Sequence, residues 1–205
     1  MSLQVRDFNL GAYAIPSDVE GGICLDIGAN VGCFSQRYRD VFSTIHYFEP
    51  LPQCFEKCEE RLGKFPHIKG HHGAVWSATG ETVNVVNHAN NDSGSAGVDS
   101  PLLCDDWDRS DKLTSVTTSS LDDILTFLNL SSIDFCKLDC ETSEYNILMK
   151  ADLSKIKYIA VEIHNQMGHD RWYELLDHLQ DTHTLIHGNI RHTPGANQTS
   201  TWKLR

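Results

Sequence analysis

The sequence predicts an α/β fold: a doubly wound, mostly parallel seven-stranded sheet with helices on both faces and an antiparallel C-terminal hairpin. Short apolar runs alternate along the chain with amphipathic stretches, which is typical of strand–helix–strand units. Several of these runs end in an acidic residue and a turn. Near the end of the chain, "THTLIHG" and "TSTWKL" flank a Gly/Pro/Asn loop over 188–198, a pattern that predicts a hairpin.

The predicted strands are short runs rich in β-branched and aromatic residues. In chain order they lie in "GGICLDIG", "TIHYFEP", "HIKGHHGAVW", "KLTSV", "IDFCKLD" and "IKYIAVEIH". The predicted helices are "VGCFSQRYRDVF", "LPQCFEKCEERLGK", "SLDDILTFL", "CETSEYNILMKA" and "GHDRWYELLDHLQ". Gly63 is the expected C-terminal stop of the second helix. Ser120 is the expected N-cap of the third helix, and Thr142 or Ser143 that of the fourth.

The chain of 205 residues suits one domain over 1–205. We expect residues 1–20 to form an N-terminal extension and residues 77–111 to form a variable insertion. In the insertion, "ETVNVVNH" alternates like an exposed strand, and "ANNDSGSAGVDSP" reads as a long loop. Such loops are often functional, so 89–100 is expected to be either a lid or a plain surface loop.

Composition excludes several classes of protein. No apolar run approaches the roughly 20 residues of a membrane span, so no membrane partner is expected. The chain carries 17 basic and 28 acidic residues, for a net charge of -11, which argues against nucleic acid as a partner. Seven cysteines, an odd number, and no secretory signal pattern predict reduced thiols and a cytoplasmic protein. A homo-oligomer stays open.

The stretch "ICLDIGANVGCFSQ", residues 23–36, places a turn directly after the first strand. A dinucleotide-binding loop needs G-x-G-x-x-G so that the pyrophosphate can approach bare backbone. With Gly28 as the first glycine, Asn30 and Cys33 stand at the second and third. Asp26 also brings negative charge to the turn. The stretch therefore disfavours a nicotinamide dinucleotide and favours a ligand that is cationic near Asp26 and compact near Gly28.

Glu49 ends the second strand, 23 residues after Asp26, which is one strand–helix–strand step. A carboxylate at this position can accept hydrogen bonds from both hydroxyls of a ribose. Asp139 ends a later core strand in the same way. A ligand with a ribose, a cationic centre and no phosphate is S-adenosyl-L-methionine (SAM).

An ordered set of motifs now becomes recognisable: "LDIGANVGCFS" at 25–35, "YFEP" at 47–50, "SLDDIL" at 120–125, "FCKLDCETSEYNIL" at 135–148 and "IAVEIH" at 159–164. The set resembles the FkbM-type family of SAM-dependent methyltransferases, and it spans about residues 23–164. The resemblance implies the Rossmann-like class I methyltransferase fold. It also implies that SAM is the cofactor and S-adenosyl-L-homocysteine its product.

The resemblance implies a role for each matching residue. The first motif would surround the methionine half of SAM, and Glu49 would bind the ribose. The residues that follow Glu49 and those that follow the third strand would border the adenosine. Asp139 would face the reactive end of SAM. The implied cofactor-binding residues are Asp26, Gly28, Ala29, Asn30, Gly32, Glu49, Pro50, Leu51, Ala74, Val75 and Asp139. Family members commonly read "DxEG", whereas this chain reads "DCET", with Thr142 in place of Gly, so we expect a differently shaped turn there.

The resemblance implies methyl transfer to an oxygen of a small-molecule or saccharide acceptor. A hydroxyl acceptor needs a base within hydrogen-bond reach that titrates near neutrality. His164, at the end of the fifth core strand, is the first candidate for this catalytic role. Glu162 lies two residues earlier on the same face, and Asp139 is a further candidate.

Alternatives stay open beside this prediction. Asp139, Glu141 and Glu162 could hold a divalent metal, although no metal site is predicted. Trp76, Trp107 and Trp172 could line an acceptor pocket or belong to the core. A non-catalytic SAM-binding regulatory module is the alternative function, and a nicotinamide oxidoreductase is disfavoured by the first turn.

Overall fold

The computed structural model describes residues 13–87, 96–98 and 113–205. Within them lies a seven-stranded sheet. In spatial order its strands are β3 (Ile68–His72), β2 (Thr44–Glu49), β1 (Ile23–Ile27), β8 (Phe135–Leu138), β9 (Tyr158–Ile163), β11 (Gln198–Leu204) and β10 (His183–Gly188). The first five are parallel, whereas β11 runs antiparallel to both β9 and β10. The predicted mostly parallel sheet and its closing hairpin are therefore confirmed.

Helices cover both faces of this sheet. They are α1 (Cys33–Arg37), α2 (Pro52–Leu62), α3 (Leu121–Phe127), α4 (Glu144–Leu148) and α5 (His169–Thr182). Buried side chains of α3, α4 and α5 pack in one apolar cluster, and those of α2 pack in another on the opposite face. This is the doubly wound arrangement. Within the described ranges, no helix has both the length and the apolar character needed to cross a membrane.

Two helices are shorter than predicted. The helix expected over 31–42 is only the five residues of α1. After it, Val41 accepts a hydrogen bond from the Gly21 N–H, and Ser43 donates to the Gly22 carbonyl. The chain must make these contacts to return beside β1, which a continuing helix would prevent. Likewise, the helix expected over 140–151 is limited to α4.

The third predicted strand, a run interrupted by glycines, consists of two elements. It divides at Gly73 into β3 and β4 (Ala74–Trp76), and β4 joins a second sheet of order β4-β7-β5-β6. The other members are β5 (Thr82–Asn87), β6 (Ala96–Val98) and β7 (Leu113–Ser120). β6 lies within the segment predicted as a loop. Residues 88–95 and 99–112, which include the remainder of the predicted lid, lie outside the described residues.

Two of the predicted helix caps are confirmed. The Ser120 hydroxyl accepts from the Asp123 N–H at 3.2 Å, and Gly63 is the C-cap of α2. Ser143 holds the expected N-cap position of α4, but its side chain makes no capping hydrogen bond. Oε1 of Glu144 accepts from the Cys140 N–H at 2.6 Å. The first acidic side chain of the helix therefore stabilises the turn that precedes it.

Gly28 lets β1 and β8 approach at the edge where both strands end. Its φ of 75° is left-handed, and a Cβ atom there would overlap the carbonyl oxygen of Asp139. Gly21 has a similar φ of 78°, but a Cβ atom there would meet nothing within 4 Å. A comparison of substitutions at the two glycines therefore distinguishes the cost of backbone strain from the cost of steric overlap.

We expect Gly28→Ala to lower the free energy of unfolding far more than Gly21→Ala does. Both changes place a side chain in left-handed backbone, at a cost of about 1–2 kcal/mol, but only Gly28→Ala adds overpacking of about 1–3 kcal/mol. Urea unfolding of the two variants measures the difference. Equal losses would show that the close approach at Gly28 does not hold in solution.

Candidate active site

A cleft of about 230 Å³ opens at the carboxyl ends of β1, β2, β8 and β9. This is the edge at which doubly wound sheets bind ligands. Nine of the sequence-predicted site residues line it: Gly28, Asn30, Glu49, Pro50, Ala74, Val75, Asp139, Glu162 and His164. The strand ends therefore bring together residues that are more than a hundred positions apart in the chain.

The turn after β1 is bound to the end of β2 through Glu49. Oε2 of Glu49 accepts from the Asn30 N–H at 2.8 Å, and Oε1 accepts from the Leu51 N–H at 2.9 Å. Asn30 has a left-handed φ of 56°, which asparagine tolerates better than most residues. Asparagine is therefore suited to this turn, and the Asn30 N–H binds Glu49.

Glu49 is a buried carboxyl group at the wall of the cleft, with 4% of its surface exposed. Burial raises the pKa of Glu49 to about 7, although the N–H groups of Leu51 and Asn30 favour its charged form. The carboxyl group is thus poised to change charge near neutrality. Hydroxyl donors from a ligand would add to the two N–H groups and favour the carboxylate.

Asp26 does not line the cleft, which corrects the expectation that it meets the ligand directly. Its carboxylate is fully buried, accepts from the Ser35 hydroxyl at 2.7 Å and lies 3.3 Å from Nζ of Lys137. Lys137 also donates to the Gly28 carbonyl at 2.6 Å and lies 3.8 Å from Asp139. Burial opposes the charge of this lysine, but Asp26 and Asp139 outweigh it and raise the pKa of Lys137.

Three more residues that were expected to bind the cofactor do not line the cleft, but they support the residues that do. Gly32 has a φ of 77°, and a Cβ atom there would meet Leu62 at 2.9 Å, so this glycine lets α2 pack closely. The Ala29 N–H donates to the Phe48 carbonyl at 3.1 Å. Leu51 is fully buried and meets the site through its N–H bond to Glu49. These residues shape the turns that the lining residues occupy.

An acidic cluster with one histidine forms the other end of the cleft. Nε2 of His164 lies 3.2 Å from Oε2 of Glu141 and 4.0 Å from Oδ1 of Asp139, and its Nδ1 lies 3.1 Å from Oε1 of Glu144. His164 has only 2% of its surface exposed. Glu162 completes the cluster, and ligating atoms of Asp139, Glu162 and His164 lie within 4.8 Å of one another.

The cluster changes the titration of its members. Burial of the imidazole opposes protonation, but Glu144 and then Glu141 outweigh it and raise the pKa of His164 well above its usual value. Burial, followed by the charge of Asp139, raises the pKa of Glu162. In the free protein His164 therefore serves first as the cation that offsets the surrounding carboxylates.

The turn after β8 has left-handed backbone at Thr142, the position where family members commonly have glycine. Glu141 and Thr142 both have left-handed backbone, with φ values of 50° and 83°. Left-handed backbone is costly for a β-branched residue such as threonine. The turn directs Glu141 into the cleft beside His164.

The tryptophans do not line the cleft within the described residues. Trp172 is fully buried, and its indole N–H donates to the Ile190 carbonyl at 3.1 Å. Trp76 packs against the apolar core of the second sheet. Trp107 lies outside the described residues.

Solved structures that resemble this chain show its fold. A methyltransferase FkbM from Methylobacillus flagellatus KT matches with a TM-score of 0.53 and 16% identity, covering 93% of this chain and 48% of that one. Fibrillarin from Aeropyrum pernix, solved with natively bound SAM, matches with a TM-score of 0.53 and 9% identity, covering 89% of this chain and 66% of the other. The fold is therefore the Rossmann-like fold of class I methyltransferases.

The family follows from the sequence comparison. The model of the methyltransferase FkbM domain matches residues 26–184, so this chain belongs to the FkbM methyltransferase family. A curated relative, the 2-O-methyltransferase NoeI of Sinorhizobium fredii, is 27% identical over 158 residues. That match covers 70% of this chain and 64% of the relative, so the chain spans just under two thirds of the relative's length.

We expect Lys137→Met to lower the free energy of unfolding by about 3–5 kcal/mol, because it leaves Asp26 buried without its cation. Adding Asp26→Asn should recover part of the loss, since the two residues interact directly. Urea unfolding of the single and double variants measures both effects. Lys155→Met, which breaks an exposed ion pair with Asp122 at 3.1 Å, is the control and should change stability far less. A loss as small as the control's would contradict the assigned role of Lys137.

Proposed function

We propose that this chain transfers a methyl group from SAM to a hydroxyl oxygen of a saccharide or a similar polyhydroxylated small molecule. The observation that most supports this proposal is that the two halves of one cleft differ in the chemistry of their side chains. One half has apolar walls and the Glu49 carboxyl group, and the other has the acidic cluster around His164. Membership of the FkbM family supports methyl transfer as the activity.

The first half fits an adenosine. Phe48, Ala74 and Val75 supply apolar walls for an adenine. Glu49 lies beside them with both carboxylate oxygens already fixed by backbone N–H groups, and its remaining lone pairs are available to the ribose hydroxyls. Gly28 leads from this half toward Asp139. The sulfonium would then lie near a carboxylate, which favours its positive charge.

The second half fits the transfer itself. An acceptor oxygen attacks the methyl carbon in line with the C–S bond, a C–O bond forms, and the C–S electrons remain on sulfur as neutral S-adenosyl-L-homocysteine. The hydroxyl proton must leave the oxygen in the same process. Asp139 and Glu162 lie at this end of the cleft and provide carboxylates that can receive it. His164 can receive it only after giving up its own proton.

The charge of the cleft favours an acceptor without negative charge. Among the described residues, the lining includes carboxylates and one histidine but no lysine or arginine. Phosphate and carboxylate groups would be repelled there, whereas hydroxyl groups can donate hydrogen bonds to carboxylates. A saccharide meets this requirement. The relative NoeI is a 2-O-methyltransferase, which supports oxygen as the atom that is methylated.

We expect the affinity for 5′-methylthioadenosine to rise as the pH increases through about 7, the pKa of Glu49. This probe carries the ribose but lacks the amino acid group of SAM, which would titrate as well. Below its pKa, Glu49 takes up a proton and loses an acceptor, so affinity should fall by up to about tenfold per pH unit. Isothermal titration calorimetry across this range measures the effect.

Two variants test whether the pH dependence of binding arises from Glu49. Glu49→Gln should bind the probe more weakly and without this pH dependence, whereas His164→Asn should retain it. A wild-type affinity that does not change with pH would contradict ribose binding by Glu49.

We expect Glu162→Gln and His164→Asn each to lower kcat by about 100-fold or more while leaving the affinity for S-adenosyl-L-homocysteine unchanged. Transfer of a labelled methyl group from SAM to a panel of methyl glycosides measures turnover. Asp181→Asn, an exposed carboxylate of α5, is the control. If SAM binds but no saccharide is methylated, the acceptor class is wrong. If both variants retain full turnover, the cluster does not take part.

A further inference from the structure

We propose that Asp139, Glu162 and His164 form a binding site for one divalent cation of the Mn²⁺ class, at the acceptor end of the cleft. One ligating atom from each residue lies within 4.8 Å of the others. Nε2 of His164 and Oδ1 of Asp139 are 4.0 Å apart. Two ligands that share one ion at about 2.1 Å each can be no more than about 4.2 Å apart, so this pair already fits.

The orientation of His164 is the one that a metal ligand requires. Its Nδ1 lies 3.1 Å from Oε1 of Glu144, whose side chain is fully buried. Metal-binding histidines almost always donate their second ring N–H to a carboxylate or carbonyl, which fixes the ring and directs the other nitrogen to the ion. With Nδ1–H donated to Glu144, Nε2 is directed toward Asp139 and Glu141.

The local charge also favours a cation. Four carboxylates surround His164: those of Asp139, Glu141, Glu144 and Glu162. Of these, Lys137 comes within 4.0 Å only of Asp139. A bound divalent ion would become the largest local charge and would offset the excess.

A buried hydroxyl borders the cluster. Tyr13 precedes β1 in the chain and has 5% of its surface exposed. Its hydroxyl interacts with the Asp139 side chain and can donate to that carboxylate or to a water molecule bound to the ion.

The ligand types identify the class of ion. Two carboxylates and one imidazole with open positions suit a divalent first-row ion such as Mn²⁺, whereas Ca²⁺ prefers oxygen ligands alone. Here the open cleft leaves positions for water and the acceptor. Glu141, with Oε2 3.2 Å from Nε2 of His164, can reach the ion as a fourth ligand or remain outside it.

The role of the ion in catalysis rests on the proposed methyl transfer, whereas the binding of the ion to the protein does not. An acceptor hydroxyl coordinated to the ion would lose its proton more readily, because the cation stabilises the alkoxide. In that state His164 is a ligand, and the proton passes to Glu141. The alkoxide oxygen then attacks the methyl carbon, and the C–S electrons remain on sulfur.

Mn²⁺ titration of the chelator-treated chain tests this site directly, with calorimetry and the electron paramagnetic resonance of free Mn²⁺ as readouts. We expect one ion per chain. Asp139→Asn and Glu162→Gln should each weaken binding by more than about 100-fold, and Glu144→Gln by about 10- to 100-fold. Asp170→Asn, which alters an exposed carboxylate 3.1 Å from His169, should bind like the wild type. Circular dichroism and urea unfolding confirm that each variant is folded.

The outcomes separate this inference from the proposed function. No Mn²⁺ binding at millimolar concentration, or binding that Asp139→Asn and Glu162→Gln leave unchanged, overturns the metal site. If methyl transfer continues in the presence of a chelator, the proposed function stands and the ion plays no part in it. If Mn²⁺ binds as expected but S-adenosyl-L-homocysteine does not bind to the wild type, the proposed function fails while the metal site remains.

Discussion

The site depends on one buried cation, Lys137, between the ends of two neighbouring strands. β1 and β8 are adjacent and parallel, so the buried Asp26 and the cleft residue Asp139 come close together, and two carboxylates there would repel each other. Nζ of Lys137 lies 3.3 Å from Asp26 and 3.8 Å from Asp139, and it also donates to the Gly28 carbonyl. Because such a group is stable only when its partners are present, Lys137 fixes the turn and both acids in one arrangement.

The rest of the cleft follows from that arrangement. Once the turn is fixed, the Asn30 N–H is directed to Glu49, and the buried end of β2 becomes part of the same site. On the other side, Asp139 leads into the left-handed turn that directs Glu141 toward His164. One strand edge thus contains an apolar half with a single carboxyl group and an acidic half with a single imidazole. This division is the basis of the proposed methyl transfer.

Many residues of the candidate site could be predicted from the ends of the strands alone. Glu49, Asp139, Glu162 and His164 each follow or end an apolar run, and parallel strands bring such residues to one edge. Lys137 was missed because a lysine within an apolar run gives no sign that its partners lie on another strand. Glu144 was missed because an acidic residue in the first turn of a helix usually faces solvent. The second sheet was missed because glycines interrupt the third run without showing that the residues after Gly73 pair with β7. The helices α1 and α4 were predicted too long because the tertiary contacts that end them are absent from any local pattern.

The central claim is that the edge of β1, β2 and β8 holds an adenosine with a sulfonium, and not a dinucleotide. Calorimetric titration of the wild-type chain with S-adenosyl-L-homocysteine, SAM and NAD, each at up to millimolar concentration, tests it most directly. We predict one site per chain for both adenosylated ligands, with each displacing the other, and no measurable heat for NAD. Binding of NAD with no binding of SAM or S-adenosyl-L-homocysteine would contradict the account.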